Sequence, residues 1–220
     1  MIKIGHRGAC GYAPENTLKA FELAISMGCS VVELDVHVIQ GELLVIHDES
    51  LERTTNGLGL LTEHTLEYLR QLDAGEGEQI PTLREVIELI DHRAEINIEL
   101  KGPDTAVPVN SLLLELCARG WSASEFILSS FNHQELALGE PQFRRGALFH
   151  YESEHYFEVT SRLQAWSLNL SLGIVNQQVV DSAHEKGLKV CVYTVNEPED
   201  IQRMRVMGVD AIFTNYPDRL

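Results

Sequence analysis

No stretch of this chain approaches the ~18 consecutive apolar residues that a membrane-spanning helix needs, so no stable membrane insertion is expected. Basic residues are scarce: 17 Lys and Arg against 33 Asp and Glu leave a formal charge of −16. Such a field opposes nucleic acid and anionic lipid, and an anionic substrate has to be captured locally. Cysteine pairs are also missing. Cys10, Cys29, Cys117 and Cys191 form no C-x-x-C motif and lie in or beside predicted elements, where cysteine usually serves as a small buried hydrophobe, so reduced structural thiols are expected. The N-terminus enters an apolar strand at once, without a basic region, an apolar stretch of signal length or a cleavage site. A cytoplasmic protein is the expectation, and Asn169-Leu170-Ser171 then means little as a glycosylation acceptor. Repeats, low-complexity tracts and long linkers are absent as well, so residues 1–220 are expected to form one domain of ordinary globular composition.

What the chain does contain is alternation. Short β-rich runs near 2–5, 30–36, 95–100, 126–131, 146–149, 165–170, 188–194 and 210–214 are separated mostly by amphipathic stretches. Eight β/α units imply a parallel sheet with helical crossovers and close most naturally into a (β/α)8 TIM barrel, ahead of a doubly wound open sheet. Asn16, before Thr17–Ala24, is a candidate cap for the first helix, with Gly28 as its stop. Thr82 and Glu85 match a capping box for a helix whose apolar face is Leu83, Val86, Ile87 and Ile90. One run breaks the alternation. Glu42–His47 follows Val36 too soon for a parallel crossover, which needs about a dozen residues. Ile39-Gln40-Gly41-Glu42 therefore reads as a hairpin turn that returns His47 beside the strand carrying Glu33 and Asp35. Residues 48–80 then make an excursion longer than a normal βα loop, expected as a small insertion over the barrel mouth.

Glu33 and Asp35 stand two apart on one strand, and Glu99 and Lys101 repeat that spacing on the next barrel strand, so each pair shares a face. Paired surface charges at strand ends are the alternative, but these residues sit inside apolar runs, where charges are costly unless paired or metal-bound. Three carboxylates converging at a barrel rim repel one another and call for a hard divalent cation. Mg²⁺ is the first candidate, with Ca²⁺ and Mn²⁺ as alternatives. His6 ends the first strand and His47 ends the hairpin return, which puts both at the rim and suits general acid/base work. Arg7 offers a planar fork for phosphate oxygens, or a salt bridge to Glu15, and Lys101 a compact charge beside Glu99.

Gly5-His6-Arg7-Gly8 with Pro14-Glu15-Asn16-Thr17, followed by Glu33-Leu34-Asp35, His47-Asp48 and Glu99-Leu100-Lys101, resembles the glycerophosphodiester phosphodiesterase family over Ile2–Asp218. The resemblance implies catalytic histidines at His6 and His47, a phosphate-binding Arg7, and metal ligands at Glu33, Asp35 and Glu99. It also implies the barrel, its insertion after His47-Asp48, and hydrolysis of a small glycerophosphodiester to sn-glycerol 3-phosphate and an alcohol. Ser129-Ser130-Phe131, Tyr193-Thr194-Val195-Asn196 and Thr214-Asn215-Tyr216-Pro217-Asp218 look like later strand-end motifs of the family, so that Phe131 and Tyr193 flank the ligand or, alternatively, pack the barrel. The chain departs from the family in a hairpin turn about one residue shorter, in His37, and in Tyr193 where tryptophan is common. Internal attack by the glycerol 2-hydroxyl and direct attack by water both fit, as do a monomer and a homodimer. Two rival readings are a lysophospholipase D acting on single-chain lipids and a phosphate-binding barrel without turnover.

Overall fold

A computed structural model describes residues 1–220, in which eight parallel strands close on themselves: β1 (Ile2–His6), β2 (Val31–Ile39), β4 (Glu95–Leu100), β5 (Phe126–Ser130), β6 (Arg144–Phe149), β7 (Ser167–Ser171), β8 (Lys189–Tyr193) and β9 (Ala211–Thr214). Closure is made by β1, which pairs with both β2 and β9. The expected TIM barrel is therefore the observed fold, and the open sheet is excluded. The ninth strand, β3 (Glu42–Val45), runs antiparallel to the outer half of β2, with Val36 opposite Val45 and Ile39 opposite Glu42. Its two-residue turn has φ of 52° at Gln40 and 85° at Gly41. Positive φ at both positions matches the twist of a tight hairpin and is free of Cβ strain only at the glycine.

Period-2 alternation divides the strand residues between two environments. On β2 and β4, Val32, Leu34, Val36, Ile96, Ile98 and Leu100 join the main apolar cluster beneath the helices. Inside the barrel, Ile4, Val31, Ile127, Cys191, Ala211 and Phe213 form an apolar floor. The opposite alternates of β2 and β4 continue upward from that floor as Glu33, Asp35, Asn97 and Glu99, so the interior turns polar toward the C-terminal rim.

Helix α1 (Leu18–Ser26) is capped by Thr17, whose Oγ1 accepts from the Ala20 N–H, and not by Asn16. Asn16 has φ of 59°, outside the extended geometry of a cap, and its side chain turns to Asp35. Helix α3 (Leu83–Ile90) has the expected capping box from Thr82 and Glu85 and buries Leu83, Val86, Ile87 and Ile90. Between β3 and α3 the chain has one 3-10 turn (Leu61–Glu63) and a short helix, α2 (Leu66–Leu69). Leu51, Leu61, Leu69 and Leu72 of this segment pack on Ile39, Leu44 and Ile46 from the hairpin. All four cysteines are free, with Cys29 and Cys191 buried. No helix is long and apolar enough to cross a membrane.

Candidate active site

The turn after β1 is the first part of the site. Arg7 has φ of 53° and Gly8 φ of 80°, a reversal that aims the Arg7 N–H at Glu33 Oε2 (2.9 Å) and its guanidinium at Asp35 and Glu15. Only glycine is tolerated at position 8, because a Cβ there would stand 2.5 Å from the carbonyl carbon of Ala20. The turn is thereby pressed against α1, and the sequence Gly5-His6-Arg7-Gly8 has a geometric cause.

Registry then assembles the carboxylates. His6 lies opposite Glu33 across the β1–β2 pair, and Asp35 lies opposite Glu99 across β2–β4. Glu33, Asp35 and Glu99 bring oxygens within 4.8 Å of one another. Glu33 and Asp35 are 2 % and 1 % exposed, so no solvent screens them. Burial and the two neighbouring carboxylates push the Glu33 carboxyl well above the usual range, and burial with Asp35 pushes Glu99 up to about 7. Asp35 is likewise buried, yet Arg7 and Lys101 hold it below its ordinary value. Its Oδ2 accepts from Asn16 Nδ2 at 2.9 Å, whereas buried Oδ1 accepts no hydrogen bond. An orphaned buried oxygen within an all-oxygen cluster, whose protons a cation would displace, fits a hard divalent ion.

Two histidines face this cluster across a cavity of about 700 Å³. His6 Nδ1–H donates to Asn215 Oδ1 at 2.7 Å, which leaves the Nε2 lone pair free for other work. Burial and Arg7 lower His6 to about 4, so it is neutral near pH 7. His47 pairs through Nδ1 with Asp48. Its Nε2 accepts from Lys101 Nζ at 3.1 Å, and Lys101 also donates to Glu99 at 2.8 Å. The hairpin delivers His47 through the Ile46 N–H, which donates to the Asp35 carbonyl. His37 adds a brace by donating from Nε2 to the His47 carbonyl at 3.0 Å.

The cavity lining includes six of the nine residues singled out from the sequence at its polar end and along its floor, namely His6, Arg7, His47, Glu33, Glu99 and Lys101, while Phe131 and Tyr193 form part of its apolar wall. Asp35 lies behind them in the carboxylate cluster. Phe131 and Tyr193 meet edge to face, with centroids 5.8 Å apart. Tyr193 is also committed to the barrel, since its hydroxyl donates to the Phe149 carbonyl at 2.8 Å. Of the two contacts open to it, Arg7 makes the salt bridge, with Nη1 donating to Glu15 at 2.8 Å, and its Nε stands 3.1 Å from Asp35. Residues with contacts at the site that had no such part in the sequence reading include Asn16, Asp48, Asn215 and His150, the last a cavity-lining residue just beyond β6. The first three sit inside motifs quoted above, and that was the available signal.

Known proteins resemble this chain in sequence and fold. The pattern of the Glycerophosphoryl diester phosphodiesterase family matches residues 6–219. A glycerophosphodiester phosphodiesterase of Caldanaerobacter subterraneus subsp. tengcongensis is 36% identical over 232 residues, spanning 100% of this chain and 96% of that protein. One from Bacillus altitudinis is also 36% identical, over 237 residues, with 100% and 96% covered. Among solved structures, an Oleispira antarctica phosphodiesterase in complex with the product sn-glycerol-3-phosphate superposes with a TM-score of 0.90 at 31% identity, covering 100% of this chain and 94% of that one. With the motifs, the barrel and the matched length in agreement, the chain belongs to the glycerophosphodiester phosphodiesterase family, and is a phosphoric diester hydrolase.

Proposed function

We propose that this chain hydrolyses glycerophosphodiesters to sn-glycerol 3-phosphate and an alcohol, using one divalent cation at Glu33, Asp35 and Glu99 and dividing the proton transfers between His6 and His47. The observation that carries this reading is the buried Asp35 Oδ1, which accepts no hydrogen bond and has only Lys101 Nζ at 3.7 Å, within an oxygen cluster facing two histidines. Mg²⁺ is the preferred ion, because the donor set is entirely carboxylate oxygen. When bound, a divalent cation would offset two of the three carboxylate charges, leaving the third to Arg7 and Lys101, and would supply polarisation of a phosphoryl oxygen.

The chain's own groups do the rest. Arg7 spends Nη1 on Glu15 and Nε on Asp35, leaving Nη2 for a phosphate oxygen. His6, neutral and fixed through Nδ1 by Asn215, accepts the proton of the attacking hydroxyl at Nε2. His47, oriented through Nδ1 by Asp48, takes up a proton at Nε2 when Lys101 leaves that nitrogen and gives it to the leaving alkoxide. Lys101 holds the His47 Nε2 position in the resting site and releases it on pairing with a phosphate oxygen. The whole chain acts as one domain, with residues 48–80 an insertion closing one side of the mouth. Four free thiols support a cytoplasmic setting.

The apolar wall of the cavity, with Phe131, Leu148, Leu172, Ile174 and Tyr193, favours a second reading, a lysophospholipase D that lays the acyl chain of a single-chain lipid along this wall, releases the head-group alcohol and leaves lysophosphatidic acid. The test is glycerol 3-phosphate release from glycerophosphocholine by metal-stripped protein with Mg²⁺, Ca²⁺ or Mn²⁺ restored singly, beside choline release from lysophosphatidylcholine under the same conditions. Metal-dependent release from the soluble diester supports the first reading, and faster turnover of the lipid supports the second. His6→Ala and His47→Ala are each expected to lower kcat ~10²–10⁴-fold with little change in KM. A near-normal kcat removes that histidine from the mechanism.

A further inference from the structure

Arg53 lies in the segment between β3 and α3 and lines none of the cavity that holds the two histidines. Its guanidinium nevertheless uses two edges at once. Nη1 and Nη2 donate to the two oxygens of Glu15 at 2.7 and 2.8 Å, while Nε and Nη2 donate to the two oxygens of Asp48 at 2.5 and 2.9 Å. Each carboxylate has a second partner in the site: Glu15 accepts from Arg7 Nη1, and Asp48 pairs with His47 Nδ1. A continuous rim results, running from Asp35 through Arg7, Glu15, Arg53, Asp48 and His47 to Lys101 and Glu99.

We propose that Arg53 is a positioning residue that sets Arg7 and His47 in one mutual geometry, through Glu15 and Asp48 respectively. The proposal rests on the reading of Arg7 as the phosphate grip and His47 as a proton donor. Planarity is the reason an arginine stands here, since only a fork with donors on two edges can orient two carboxylates simultaneously. Delivery is rigid: Leu51, two residues earlier, is fully buried, and the Thr55 N–H and hydroxyl both return to its carbonyl. The charges also balance, with Arg7 and Arg53 against Glu15 and Asp48. Removing Arg53 leaves two carboxylates facing each other without a cation between them, and each then draws on its other partner. Glu15 pulls Arg7 toward the rim, and Asp48 is free to turn and take the His47 ring with it. A misplacement of about 1 Å at either group is enough to cost roughly 10²-fold in rate.

The test is steady-state kinetics on glycerophosphocholine with the metal-loaded enzyme, comparing Arg53→Ala and Arg53→Lys with Arg7→Ala and His47→Ala at a temperature well below every melting midpoint. Arg53→Ala is expected to lower kcat about 10–100-fold and to raise KM about tenfold. Lysine, which keeps the charge but lacks the second edge, is expected to recover KM more than kcat. In an Asp48→Asn background, Arg53→Ala loses most of its effect on kcat and keeps its effect on KM, because coupled groups are non-additive. Loss of melting temperature with kcat and KM unchanged makes Arg53 a structural staple and overturns the proposal, as does full additivity with Asp48→Asn. If Arg7→Ala and His47→Ala themselves leave kcat and KM normal, the functional reading fails instead, and the two failures are told apart.

Discussion

Replacing Glu99 by glutamine is expected to raise the stability of the metal-stripped protein at pH 8. Burial and Asp35 move Glu99 from 4.5 to about 7, net of the relief from Lys101 and Arg7. The folded pKa is therefore above the unfolded one, and the folded state holds an extra proton between those values. Stability falls as pH rises through that window, and the full shift corresponds to about 3 kcal/mol against the ionised native state at pH 8. Glutamine keeps the size of the side chain and an oxygen for Lys101 Nζ, which lies 2.8 Å from Glu99, so no cavity opens. Allowing for the weaker contact with Lys101, the expected gain is about 1–3 kcal/mol, or roughly 2–10 °C in Tm for a domain of this size. At pH 4.5 and below the two proteins should converge. Calorimetric melts across pH 4.5–8 read this directly. Adding Mg²⁺ reverses the order, because a site binding only the native state stabilises wild type by about 4.1 kcal/mol at a thousandfold excess over Kd, while the variant gains little. A variant that melts below wild type at pH 8 without metal, or gains as much from Mg²⁺, would refute both the cluster electrostatics and the ligand assignment.

Asn16→Gly keeps the positive φ but removes both contacts with Asp35, from Asn16 Nδ2 and to Asn16 Oδ1. Cation affinity measured by calorimetry should fall ~10–100-fold, as for other groups that orient a ligand, and unchanged affinity would show that Asp35 needs no such brace. Gly8→Ala combines a φ of 80° with a Cβ 2.5 Å from the Ala20 carbonyl carbon. It should cost more than ~3 kcal/mol in denaturant unfolding, and a loss below 1 kcal/mol would mean that α1 can retreat from the β1 turn.

The barrel was legible because alternation is set locally. Each barrel strand has one face toward the helices and one toward the interior, and Glu33 and Asp35, or Glu99 and Lys101, could be assigned a common side from spacing alone. The hairpin was legible from chain length, since nothing but a tight turn fits between Ile39 and Glu42. Asn16 was misread because a local rule competed with a distant partner. Asparagine before a helix usually caps it, but here Thr17 takes the cap and frees Asn16 for Asp35, nineteen residues away. Contacts closed by the whole barrel cannot be read from local spacing: His6 meets Asn215 across a separation of 209 residues, and Arg53 meets Glu15 across 38.

The three carboxylates are not equivalent, and the difference has a consequence for how the site fills. Asp35 has Asn16, Arg7 and Lys101 around it and stays ionised, whereas Glu33 and Glu99 are driven toward the protonated form by burial and by Asp35 itself. The molecule thus holds one fixed negative charge, with an oxygen that accepts no hydrogen bond, at the centre of the cluster, flanked by two carboxyls that would release protons to an arriving cation. An isolated set of three ionised groups at this depth would be ruinous to the fold. Braces on one member and protonation of the other two let an acidic barrel keep three buried carboxyls together without unfolding around them. The same braces include Arg7 and Lys101, the two cations assigned to the substrate phosphate, so filling the carboxylate cluster also loosens their hold on Asp35 and Glu99. Cation binding and phosphate binding are therefore expected to be mutually reinforcing, each relieving the charge that the other would otherwise oppose.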